Sequence, residues 1–172
     1  KFSRIYLLGY MGSGKSTLGK RLANLLDYNF MDTDQVFEQN FQTSINDFFQ
    51  HSGETVFRQY EKQILHKTFN LQNTIISLGG GTPCYFDNME QISKNGLSIY
   101  LQMPPKAIQK RLLKTKRQRP LTSGLNEDEL LQQIEQNLPK REYYYKQADI
   151  CISGLSLKPA DLTKIIAYYQ NP

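Results

Sequence analysis

The stretch "GYMGSGKST", residues 9–17, restricts the possible folds of this chain more than any other part of it. Gly9, Gly14, Lys15 and Ser16 satisfy the spacing G-x-x-x-x-G-K-[ST]. That pattern carries meaning only between a strand and a helix, and both are written here. The apolar run "RIYLL" (4–8) ends on Gly9, and from Lys15 the residues Leu18, Leu22, Leu25 and Leu26 recur at helical spacing. Glycines let the backbone curl so that successive N–H groups of Gly12, Ser13, Gly14, Lys15, Ser16 and Thr17 point inward at phosphate oxygens. The positive end of the following helix adds to the field. Lys15 would reach the β- and γ-phosphates of a nucleoside triphosphate, and the Ser16 hydroxyl would sit on Mg²⁺.

The rest of the chain alternates in the same way. "NFMDTD" is a brief strand closed by acidic residues. Ser44 and Asp47 make a capping-box-like start for "INDFF", and Gly53 to Asn70 suits a longer amphipathic helix through Val56, Phe57, Tyr60, Ile64, Leu65 and Phe69. "NTIISLGGG" and "GLSIYLQM" are further strands, and Pro104-Pro105 opens a helix where proline is best tolerated. Residues 114–126 are polar, basic and broken by proline and glycine. Asn126 with Glu129 caps a helix to about Gln147, "ADICIS" is a last strand, and Lys158 to Gln170 a last helix. Short strands alternating with helices predict an α/β sandwich on a mainly parallel sheet. At 172 residues, with no repeat or linker, residues 1–172 are expected to form one domain.

Three clusters could hold an acceptor. Asp32 and Asp34 close the second strand, where ligands of open α/β sheets collect. One carboxylate would orient Mg²⁺ or its waters and the other would take a proton from a substrate hydroxyl. The pair would equally serve as a solvated turn and helix N-cap, Asp34 beginning a helical stretch. Arg58 and Glu61 share a helix face. They could grip a carboxylate, with Glu61 steadying the guanidinium, or form an ordinary surface ion pair. Gly79 to Gly81 offer bare backbone N–H groups to a ligand and let it come close.

Charge adds a fourth feature. The net charge is +5, and no acidic residue lies between Glu90 and Glu127. Lys94, Lys106, Lys110, Arg111, Lys114, Lys116, Arg117 and Arg119 all fall there, a surface for something anionic. No aromatic residue is interleaved between Lys106 and Arg119, which argues against single-stranded nucleic acid. The N/T-K-x-D and D-x-x-G segments of a guanine-nucleotide switch are missing. No apolar run approaches the length of a membrane span. Cys84 and Cys151 have no metal spacing, and "KFSRIYLLG" carries no secretory cleavage pattern, so a reducing cytoplasm is expected.

Taken in order, "GYMGSGKST", "DTD", "FRQYE", "SLGGG", the lid-like "RQRPL" and "KREYYYKQAD" resemble the shikimate kinase family over essentially the whole chain. The resemblance implies a phosphate-loop NTPase fold similar to nucleoside monophosphate kinases: a three-layer α/β/α sandwich with a five-stranded parallel sheet and a mobile lid at about 112–124. It implies phosphorylation of the 3-hydroxyl of shikimate by Mg²⁺ and ATP in a monomer, with an acceptor-binding region at about 33–61. Asp34 would contact the shikimate hydroxyls and take the proton, and Asp32 would belong with Ser16 to the Mg²⁺ environment. Arg58, Gly79, Gly80, Gly81 and Arg141 would hold the carboxylate and ring, Glu61 would steady Arg58, and Phe49 and Phe57 would wall the ring. Arg119 would close over the phosphates, while Arg111 and the turn at Pro159 would border adenine. Gluconate and nucleoside monophosphate kinases share parts of this pattern. The chain departs from the family's R-x-P-L-Y by reading "REYYY" from Arg141, with Tyr143 in the proline's place.

Overall fold

In the computed structural model, residues 2–115 and 124–170 are described. Five strands, β1 (Arg4–Leu8), β2 (Asn29–Asp32), β3 (Thr74–Ser77), β4 (Leu97–Gln102) and β5 (Ile150–Ser153), form one sheet in the order β2-β3-β1-β4-β5. Every pairing is parallel. A parallel sheet must be covered on both faces, so its strands read as continuous apolar runs. The period-two alternation still decides which side chain goes where. Tyr6, Leu8, Ile76, Leu78 and Tyr100 face one layer of helices, and Ile5, Leu7, Ile75, Ile99 and Leu101 the other.

The first layer is packed by α4 (Asn88–Asn95), α5 (Pro105–Leu113) and α6 (Glu127–Tyr145), with Leu65 from the end of α3 (Ile45–Thr68). The second is packed by α1 (Lys15–Leu26) and α7 (Pro159–Gln170) through Leu22, Leu162 and Ile166. A separate aromatic cluster joins α2 (Thr33–Phe41) to α3. Phe37 is stacked on Phe41 at 4.6 Å between ring centroids and meets Phe57 edge-on at 4.8 Å. This cluster supports the 33–61 region outside the two main cores.

Several elements differ from the sequence-based expectation. The start at Ser44 and Asp47 is formed as expected, with the Ser44 side chain accepting from the Asp47 N–H at 3.0 Å. The two expected helices meet at Gly53 in a kink, so that they run on as one element, α3. There φ is 78° and ψ 167°, a geometry glycine adopts without strain. α4 was not anticipated, because "NMEQISKN" buries only Asn88, Met89 and Ile92. A 3₁₀ turn at Thr82–Cys84 likewise follows the glycines. Leu25, counted in the apolar stripe of α1, is 58% exposed. The capping box at Asn126 and Glu129 is formed as expected, and α6 stops at Tyr145. Tyr143, in the place of the family's proline, stays helical and points to solvent.

Tyr6, Tyr10, Tyr100 and Tyr145 are all buried, and burial raises each hydroxyl above its ordinary value. Each stabilises the fold fully below its unfolded pKa of about 10, and that contribution is lost as pH rises past it. The unfolded chain releases protons there that the folded chain keeps. Denaturation midpoints are therefore expected to fall between pH 9 and 11, with phenolate absorbance lagging until unfolding. A flat midpoint across that range would contradict this account.

Candidate active site

The strands that reach the site end on the same edge of the sheet, because parallel strands share a direction. Gly9 follows β1 and Gly79 follows β3, and these strands are neighbours in register from Arg4↔Thr74 to Leu7↔Ser77. The Leu78 N–H still donates to the Leu7 carbonyl at 3.2 Å, so the two loops leave the sheet side by side.

The first loop, residues 11–17, lines a cleft of about 480 Å³. Gly12 and Gly14 take φ of 78° and 97°, where a side chain would be strained. No side chain caps α1, whose first N–H groups therefore open toward the cleft. The Lys15 ammonium donates to the carbonyls of Gly9 at 2.7 Å and Tyr10 at 3.1 Å. Arg111 lies across the loop and donates to the Ser13 carbonyl at 2.7 Å. A Cβ on Gly14 would sit 2.8 Å from that guanidinium. Pro159 and Leu157 border the far end of the same cleft. Arg119 lies outside the described residues.

The Ser16 hydroxyl donates to Asp32 Oδ2 at 2.5 Å, and Asp32 Oδ1 accepts from the backbone N–H of Asp34 at 3.1 Å and Gln35 at 3.3 Å. The N-cap of α2 is thus Asp32 rather than Asp34, because Asp32 keeps the extended backbone of β2 while Thr33 already turns helical. Its second oxygen and the serine hydroxyl make a hard oxygen pair in the phosphate cleft. That donor set fits Mg²⁺, which takes one or two protein oxygens and fills its shell with phosphates and water.

A second pocket, about 50 Å³, adjoins the cleft and is lined by Phe49, Phe57, Arg58, Glu61, Gly80, Gly81 and Arg141, with Met11 and Ile45. Asp34 lines both spaces and, among the described residues, is the one ionisable side chain common to them. Arg58 is buried. Burial works against its charge, but Glu61 at 2.8 Å and Glu54 at 2.9 Å outweigh it and hold its pKa above the ordinary value. Burial pushes the Glu61 carboxyl up, with the Arg58 guanidinium and the Thr82 hydroxyl at 2.7 Å opposing the rise. The surface ion pair that the spacing also allowed is therefore excluded. Arg141 lies over the Tyr10 ring, 5.0 Å from its centroid, and Tyr145 donates its hydroxyl to the Gly80 carbonyl.

Within the glycine run, the N–H of Gly79 is not bare as expected. The Gly79 N–H donates to the Thr33 hydroxyl at 3.0 Å. What the run supplies is space. A Cβ on Gly79 would come within 2.6 Å of Asp34 Oδ1 and 2.8 Å of Glu61 Oε1, and one on Gly81 would overlap the Arg58 guanidinium. Thr33, Thr82, Glu54, Tyr85 and Tyr145 went unnoticed in the sequence. Only Glu54, four residues before Arg58 on one helix face, left a readable local signal.

The profile of the shikimate kinase family matches residues 11–170. The shikimate kinase of Bacteroides fragilis is 44% identical over 146 residues, covering 85% of this chain and 82% of that protein. A crystal structure of shikimate kinase from Bacteroides thetaiotaomicron superposes with a TM-score of 0.92 at 36% identity, covering 97% and 99% of the two chains. One from Acinetobacter baumannii, in complex with shikimate, gives 0.82 at 29% identity over 97% and 92%. With the phosphate loop, the paired aspartates and the glycine run arranged on one sheet edge, the chain belongs to the shikimate kinase family.

Proposed function

We propose that this chain transfers the γ-phosphoryl group of ATP to the 3-hydroxyl of shikimate, giving shikimate 3-phosphate and ADP on the route to chorismate and the aromatic amino acids. Beyond family membership, one observation carries this reading. Asp34 stands where the phosphate cleft meets a pocket lined by two guanidinium groups, Arg58 buried and Arg141 half-buried. A polyhydroxylated carboxylic acid fits that pocket: Arg58 and Arg141 face its carboxylate, and Phe49 and Phe57 its ring. An acceptor hydroxyl is then left beside Asp34.

Transfer forms a bond from the acceptor oxygen to the γ-phosphorus and breaks the bridge to the β-phosphate. Asp34 takes the hydroxyl proton. Lys15 leaves its backbone carbonyls for the β- and γ-phosphates, and Arg111 borders adenine with Pro159. Arg119 closes over the phosphates. Water excluded from the closed site cannot take the phosphoryl group in place of shikimate. Ser16 and Asp32 would hold Mg²⁺, which when bound neutralises charge on the phosphates. Every group invoked comes from one chain, in keeping with a monomer and a single catalytic unit over 1–172. The free cysteines Cys84 and Cys151 suit a reducing compartment such as the cytoplasm.

The test is ADP release from Mg·ATP with shikimate, gluconate or AMP as acceptor. Release that depends on shikimate alone is expected. Release with gluconate or AMP instead would keep the kinase and discard the acceptor.

A further inference from the structure

The Arg58 guanidinium has five N–H donors, one on Nε and two on each terminal nitrogen. Among the described residues three bonds use them: Nη1 to Glu61 Oε2 at 2.8 Å, and Nη2 and Nε to Glu54 Oε1 at 2.9 and 3.2 Å. One N–H therefore remains on Nη1 and one on Nη2. Two parallel donors on adjacent nitrogens are the pair that a carboxylate takes with both oxygens. This end of the group abuts Gly81, whose missing Cβ leaves room for it.

Glu54 is itself held. Its Oε1 also accepts the Tyr85 hydroxyl at 2.8 Å, and the Tyr85 ring lies under the guanidinium, 4.2 Å from Cζ to the centroid. Tyr85 belongs to the segment that follows the glycine run, so Glu54 is tied to a second part of the chain rather than only along its own helix. It also directly follows the kink at Gly53.

We propose that Glu54, anchored by Tyr85, is a positioning residue that fixes the rotation of Arg58 and so presents its remaining donors to the acceptor carboxylate. This rests on the functional reading above. A stand-in for the acceptor, displaced on binding, would occupy the Nη1–Nη2 end with two oxygens. Glu54 instead takes the Nε–Nη2 edge with one. Its negative charge opposes the acceptor's, but the side chain is 47% exposed and water screens that repulsion. A guanidinium free to rotate loses the geometry of both remaining donors, so positioning outweighs repulsion.

Steady-state kinetics on shikimate and its methyl ester test this in Glu54→Ala, Glu54→Gln and Tyr85→Phe. Glu54→Ala is expected to raise KM for shikimate about tenfold, with most of the loss in KM rather than kcat and with KM for ATP unmoved. Glutamine keeps an acceptor oxygen in place and should restore KM to within about threefold. Tyr85→Phe removes one hydroxyl and should raise KM about threefold, which keeps the test decisive if the alanine variant does not fold. KM for the ester, which lacks the carboxylate charge, should rise less in every variant. An unchanged or lowered KM for shikimate, or equal losses on acid and ester, would overturn the assignment and leave the kinase reading standing. Wild-type protein that does not turn over shikimate would overturn that reading and this inference together.

Discussion

Asp34→Asn is expected to lower kcat for transfer to shikimate by about 10³-fold, within the span attributed to a positioned general base. Asparagine keeps the size of the side chain and the backbone N–H that donates to Asp32 Oδ1. The N-cap of α2 therefore survives, and with it the Ser16–Asp32 contact that faces the phosphates. Proton acceptance is removed, together with the negative charge that acts on the neighbouring Glu61 carboxyl. Nucleotide affinity should stay within about threefold of wild type, since Lys15 and the loop are untouched. Single-turnover phosphoryl transfer alongside equilibrium ATP binding separates the two effects. Turnover at the wild-type rate would rule out Asp34 as the base, while loss of ATP binding would show that the variant damages the cleft itself.

The second large effect is steric. Gly79→Ala would place a methyl group 2.6 Å from Asp34 Oδ1, 2.8 Å from Glu61 Oε1 and 3.0 Å from Thr82 Oγ1. None of these neighbours yields cheaply. Thr82 donates to Glu61, Glu61 accepts from Arg58, and the Gly79 backbone is tied to Thr33. Moving Asp34 withdraws the base, and moving Glu61 turns Arg58. A misplacement of about 1 Å can cost about 10² in rate, so kcat/KM for shikimate should fall by at least that much. Overpacking should also cost stability of about 1–3 kcal/mol. Kinetics together with a urea denaturation curve check both. Near-normal kcat/KM would mean that the glycine run does not serve to make room for these side chains.

Much of this was legible in the chain itself. The strands were, because a sheet covered on both faces demands apolar runs, and "RIYLL", "TIIS" and "LSIYL" have little else to offer. The phosphate loop was, because its chemistry is local: glycine, lysine and serine act within eight consecutive residues. α4 was not, since two apolar residues in eight do not make a periodic stripe. The division between Asp32 and Asp34 was blurred because both residue types cap helices, and only the backbone decides which one does. The glycine run was recognised, but the room it makes for neighbouring side chains was not. A sequence shows that a Cβ is missing, whereas what that Cβ would have struck is set by Asp34, Glu61 and Arg58, brought there from 45, 18 and 23 residues away. Tyr85 was hidden for the same reason, as its hydroxyl meets Glu54 across 31 residues.

The pairing of β1 with β3 has a consequence for how such an enzyme can change. The phosphate loop and the glycine run spring from adjacent strands about 4.8 Å apart, locked by a hydrogen-bond ladder in the buried centre of the sheet. The distance over which the phosphoryl group travels is therefore a property of the scaffold. On the proposed reading, much of what meets the acceptor comes from α2 and α3, which rest on their own aromatic cluster beside the main core. Acceptor preference can then be rewritten by exchanging that peripheral segment, in evolution or in the laboratory, without recalibrating the span of the reaction. The converse exchange, altering β1 or β3 under a fixed peripheral segment, would disturb every acceptor alike.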